Sequence, residues 1–180
     1  MPSTQDNLTR LLDPTYLDGV DALSVDDIRR MRAECQEAEA ALSYLRRLIQ
    51  GRMDIVHAYI ERPEGSDAPD LSSVVDNLAG ILAGPGRAGG PGRNPVLFTP
   101  DTDEMAGLTV ELDEILGADD IGRLTQLDDG ELADLAGRLR DLENRVSAER
   151  RGLHERIDTL QAELVERHKS GRASVDGLLS

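Results

Sequence analysis

From Ser24 onward, apolar residues recur at alternating steps of three and four. Ile28, Met31, Cys35, Ala38, Leu42, Leu45, Ile49, Arg52, Val56 and Tyr59 make one stripe, interrupted at Arg52. Sustained over several heptads, this is the seam of a coiled coil. Ser24 with Asp27 reads as a helix N-cap followed by an acidic third position, and the next proline is Pro63. The pattern predicts a helix over about 25–61, about 55 Å long at 1.5 Å per residue. So narrow an apolar stripe on so long a helix needs a partner helix. A second seam supplies it. Asp128 and Glu131 form another capping box, and Leu132, Leu135, Leu139, Leu142, Val146, Leu153 and Leu160 follow before Gly171. Glu149 and Arg156 take polar places in this second seam.

The remaining segments are shorter. Residues 1–23 are polar, with a helical turn expected around Leu8, Leu11 and Leu12. Asp70 predicts the cap of a short amphipathic helix using Leu71, Val74, Val75, Leu78, Ile81 and Leu82. The Gly/Pro-dense run AGPGRAGGPGRNP, 83–95, predicts a flexible linker. Residues 104–117 predict another short helix with Leu112, Ile115 and Leu116 on one side. The expected organisation is a polar segment 1–23, a long helix within 24–62, short helices and linker over 63–126, a second long helix within 127–170, and a loose tail 171–180.

Composition narrows the class. The 180 residues include 35 acidic and 20 basic side chains, a formal charge of −15. Aromatics are 2% (Tyr16, Tyr44, Tyr59 and Phe98), too few for the usual core of an α/β enzyme or a β-sandwich. The net charge opposes general nucleic-acid binding through phosphates and suits a partner with a basic face. The single cysteine, Cys35, excludes an intramolecular disulfide framework. No apolar run approaches the roughly 20 residues of a membrane span, and MPSTQDNLTR lacks a signal-peptide stretch, so a cytoplasmic protein is expected.

An internal repeat changes the picture. Laying 37–60 on 141–164 matches Glu39 with Glu143, Ser43 with Ser147, Arg46 with Arg150, Arg47 with Arg151, Arg52 with Arg156, Asp54 with Asp158 and Ala58 with Ala162. A duplication kept only for packing would preferentially repeat its seam, yet here the polar residues repeat. Glu39, Ser43, Arg46, Gln50 and Asp54 make one set; Glu143, Ser147, Arg150, His154 and Asp158 make the other. Each set falls within an arc of roughly 80° and occupies the same heptad slots, beside the seam. Corresponding flanking slots meet on one side only when the helices are antiparallel. The expected fold is therefore all-α: a long antiparallel two-helix coiled-coil hairpin with short accessory helices and a flexible linker.

The chemistry of the stripes points to a guanine nucleotide. Arginine pairs bidentately with guanine O6 and N7 or with phosphate. Aspartate accepts from the adjacent N1–H and N2–H₂ of guanine, Ser and Gln or His donate to base or phosphate, and Glu can hold a nearby Arg in place. The paired motif Glu-x3-Ser-x2-Arg-x3-Gln-x3-Asp resembles the signature of the RsiG family of actinobacterial anti-sigma factors. The first copy matches at all five positions, the second at four, with His154 in place of Gln. The resemblance implies an antiparallel coiled coil whose two motifs hold a dimer of cyclic di-GMP. It also implies sequestration of a WhiG-type sporulation sigma factor, and inhibition of transcription through protein binding.

Plainer readings stand beside these. The stripes could be solvated faces with ordinary Glu–Arg pairs, making the protein a structural or scaffolding coiled coil that binds no nucleotide. Arg52 and Arg156 are further ligand candidates, through phosphate, or else polar layers that set helix register. Arg47 and Arg151 read as solvent- or partner-facing, and Cys35 as a small core residue. His57 and His168 lack metal-ligand partners at suitable spacing. Ser43 and Ser147 lack a base, and the glycine-rich stretch lacks the Lys-Ser/Thr of a phosphate loop, so the sequence predicts no enzyme.

Overall fold

The computed structural model describes residues 4–62 and 102–170. The helix expected at 70–82, the linker at 83–95 and the tail beyond Ser170 lie outside the described residues. The elements are α1 (Thr4–Leu12), a 3-10 turn (Val20–Ala22), α2 (Val25–Ile60), α3 (Thr102–Ile115), a 3-10 segment (Ala118–Gln126) and α4 (Asp129–Lys169). No strand occurs among the described residues. The fold is all-α, and its two long helices run antiparallel: Arg32 and Glu39, in rising order on α2, meet Gln161 and Arg150, in falling order on α4.

Both long helices begin where their caps predict. The Asp27 amide donates to Ser24 Oγ at 3.1 Å, while that hydroxyl donates to the Asp27 carboxylate at 2.6 Å. At α4 the box is reciprocal: Glu131 N–H donates to Asp128 Oδ1 at 2.8 Å and Asp128 N–H to Glu131 Oε2 at 3.0 Å. Each satisfies amides that have no intrahelical acceptor, an effect of about 1 kcal/mol per cap.

The chain divides into two compact units, Met1–Ser43 with Ser147–Ser180, and Tyr44–Val146. In the first, Ile28, Cys35, Leu42, Leu153 and Leu160 of the long helices are buried, together with Leu8 and Leu11 of α1. Gly152 explains how α1 can lie so close. A Cβ there would come within 3.0 Å of Leu12 Cδ2. Tyr16 lies after α1, its hydroxyl buried without a partner, and Arg10 stacks over its ring at 5.6 Å from the centroid. Burial pushes the Tyr16 hydroxyl well above its ordinary pKa and raises the Cys35 thiol as well.

In the second unit, Leu45, Ile49, Val56 and Tyr59 of α2 are buried, as are Leu132, Leu135, Leu139, Leu142 and Val146 of α4. Leu112 of α3, Leu116 and Leu124 complete this core. Truncating a fully buried leucine such as Leu139 or Leu153 should cost about 2–5 kcal/mol. Met31 and Ala38, placed on the first seam by the sequence, are only half-buried, so the seam is looser in its first turns than the spacing predicts.

Candidate functional site

The two motif copies are α-helical throughout and distribute over the two units. The first unit holds Glu39 and Ser43 of α2 with Ser147, Arg150, His154 and Asp158 of α4. The second holds Arg46, Gln50 and Asp54 of α2 with Glu143 of α4. Each unit therefore brings the glutamate of one copy to the arginine of the other.

In the first unit Glu39 Oε1 is the hub. Arg150 donates to it from Nη2 at 3.0 Å and Nε at 3.1 Å, Ser43 Oγ donates at 2.6 Å, and His154 Nε2 lies 3.2 Å away. Burial alone would raise the Glu39 pKa. The Ser43 and Arg150 hydrogen bonds and the positive charge of His154 and Arg150 outweigh it, and the carboxyl is held below its ordinary value. Asp158 is exposed on the same helix.

In the second unit Arg46 Nε donates to Glu143 Oε1 at 2.7 Å, with Arg46 37% and Glu143 18% exposed. A guanidinium carries five N–H donors, so an Nε contact fixes its plane without consuming the outer fork. Gln50 is half-buried and Asp54 exposed. In both units an arginine oriented by a glutamate stands on a partly exposed helix face, with an amide or imidazole and a carboxylate further along its own helix. That donor and acceptor set fits a guanine base and a phosphodiester.

Arg52 and Arg156 do something else, and do it alike. Arg52 Nη1 donates to the carbonyls of Leu112, at 3.0 Å, and Leu116, and Nη2 to Asp113 Oδ1 at 2.6 Å. Arg156 Nη2 donates to the carbonyls of Leu12 at 2.7 Å and Asp13 at 3.1 Å, and Nη1 to Gly152 O at 3.0 Å. Leu12 ends α1, and Leu112 and Leu116 bracket the end of α3. These arginines donate to carbonyls at the C-terminal ends of α1 and α3 and place a positive charge at the negative end of the helix dipole. Both arginines hold the accessory helices through these hydrogen bonds.

The sequence reading missed a third such residue. Arg167 is 8% exposed and donates to the carbonyls of Val20 at 2.9 Å, Asp21 at 3.0 Å and Leu23, with Nε on Glu163 at 2.7 Å. The signal was present: Leu160, Glu163 and Arg167 continue the seam spacing beyond the last apolar member.

Among the described residues, no group of three or more His, Cys, Asp or Glu is placed to hold a metal ion. Among the same residues, no helix is long and apolar enough to cross a membrane. No curated protein matches the chain. The RsiG-like family matches it over residues 14–82 and 118–180, a span that takes in both long helices and both motif copies. With a helix pair, a duplicated motif and a family match over most of its length, the chain belongs to the RsiG-like family, which supports a regulatory role of the anti-sigma-factor type.

Proposed function

We propose that this protein is a cytoplasmic anti-sigma factor that binds a dimer of cyclic di-GMP and, so loaded, sequesters a WhiG-type sporulation sigma factor. The nucleotide-binding residues are Glu39, Ser43, Arg46, Gln50, Asp54, Glu143, Ser147, Arg150, His154 and Asp158. Arg46 and Arg150 read the Hoogsteen edge of guanine or its phosphate, Asp54 and Asp158 accept from N1–H and N2–H₂, and Ser43, Ser147, Gln50 and His154 supply further hydrogen bonds. Glu39 and Glu143 hold the arginines in place.

The observation that carries this reading is the exchanged ion pair, Glu39 with Arg150 and Glu143 with Arg46. Solvated pairs in this chain run along one helix, as Arg29 with Asp26, or between helices, as Arg10 with Glu34, whereas the motif pairs are more buried and recur at equivalent positions. Here the motif residues reach across to the other helix, in both copies. No catalytic step is assigned, and transcription is inhibited through protein contact rather than DNA binding.

Nucleotide can tighten the protein complex only by binding the complexed state more strongly. The test is a pull-down of a WhiG-type sigma factor at physiological salt, with and without cyclic di-GMP. Recovery should be strong with nucleotide and weak without. Equal recovery in both removes the switch, and none in either favours a scaffold that binds no nucleotide.

A further inference from the structure

Within the first unit, the first turns of α2 and the last turns of α4 enclose a groove of about 360 Å³ that the nucleotide reading does not use. Its charged side chains are Arg29, Arg32 and Lys169, with His168 beside them, and none of its lining residues is Asp or Glu. The chain carries 35 acidic and 20 basic residues, and Lys169 is its single lysine. A lining free of carboxylates is thus a local reversal of the protein's charge. The apolar lining is Val25, Leu164 and Val165, and Val165 is 39% exposed.

The cations are only weakly engaged. Arg29 pairs with Asp26 at 2.9 Å, but both are open to solvent, 63% and 88% exposed, where such a pair is worth little. Arg32 Nη1 donates to Gln161, a neutral acceptor, and its Nε is buried with no hydrogen-bond partner. An entering carboxylate would meet Arg32 on a neutral acceptor and Arg29 in a solvent-exposed pair that it can displace.

We propose that this groove docks an acidic amphipathic helix of a partner protein. Its carboxylates face Arg29, Arg32, His168 and Lys169, and its apolar side covers Val25, Leu164 and Val165. A cleft between two antiparallel helices accepts a third helix through residues at i, i+3, i+4 and i+7. A nucleic acid fits less well, because its phosphates would leave the apolar lining uncovered and approach a chain of net charge −15. The chain's own residues 171–180 carry Arg172 and Asp176, which cancel, and so do not answer the groove's charge. This surface is independent of the nucleotide site.

The experiment is fluorescence anisotropy with the full chain, without nucleotide. The probes are a labelled synthetic helix with Leu on one face flanked by Glu, the same peptide with Lys for Glu, and a labelled single-stranded oligonucleotide. The Glu peptide should bind saturably, and the Lys peptide and the oligonucleotide should not. Its affinity should fall at least about tenfold in Arg29→Glu/Lys169→Glu and in Val165→Asp, with circular dichroism unchanged. The proposal is overturned by any of four results: no binding of the Glu peptide, equal binding of the oligonucleotide, native affinity in both variants, or a Glu peptide that binds only after residues 171–180 are removed.

Discussion

The two units solve the same problem with different neighbours. In the first, Glu39 gathers Ser43, Arg150 and His154 on one oxygen, and Arg156 caps α1. In the second, Glu143 takes Arg46, and Arg52 caps α3. The accessory helices are unrelated in sequence, TQDNLTRLL against TDEMAGLTVELDEI, yet equivalent arginines hold them. The duplicated polar residues therefore fall into two groups with separate duties. One group, beside the seam, orients arginines on a partly exposed face; the other, in the seam, anchors a third helix. A seam arginine marks a place where the helix pair gains a packed neighbour whose carbonyls need donors. It is tolerated because those carbonyls replace the water it has lost.

Substitutions separate the two duties. The largest effects on nucleotide binding should come from the exposed-face arginines: Arg46→Ala or Arg150→Ala should each cost about 1–3 kcal/mol of cyclic di-GMP binding, and Asp54→Ala or Asp158→Ala a similar amount, the range for a bidentate base contact. Helix content by circular dichroism should not change. Normal nucleotide binding in these variants removes the recognition assignment.

On fold stability rather than nucleotide affinity, Arg52→Ala and Arg156→Ala should each cost about 1.5–3 kcal/mol, the range for hydrogen bonds to a charged group. Lysine should rescue little, since it lacks the fork that spans two carbonyls. Chemical denaturation measures this. Unchanged stability with lost nucleotide binding would instead return these residues to the phosphate role.

A smaller effect distinguishes the units by pH. Glu39 has a folded pKa below its ordinary value. Its contribution is therefore present above the unfolded pKa of about 4.3 and is lost as pH falls through the folded value. Glu39→Gln should flatten the acid limb of the stability profile. His154→Gln, which gives the second copy the residue of the first, should leave cyclic di-GMP binding in place, as isothermal titration would show. Identical profiles in native and variant chains would contradict this account of the Glu39 hub.

Much of this architecture was legible in the sequence because it is local. Seven apolar positions of the second seam, Leu132 through Leu160, are all buried, and both caps form from residues three apart. The antiparallel direction followed from the matching heptad slots of the two stripes. The accessory-helix partners of Arg52 and Arg156 were not legible, since the first of them lie 60 and 144 residues away and most are backbone carbonyls, which leave no side-chain signature. Gly152 was overlooked for the same reason: its use is the approach of Leu12, from the other end of the chain. A glutamate four or seven residues from an arginine suggests a contact along one helix, whereas the pairs cross between helices.

The central claim, that the two motif copies bind cyclic di-GMP, is tested most directly by isothermal titration of the intact chain with the nucleotide at two salt concentrations. The account predicts two cyclic di-GMP molecules per chain, with affinity falling as salt rises because phosphates meet arginine side chains. No heat, or a stoichiometry of one, would contradict it.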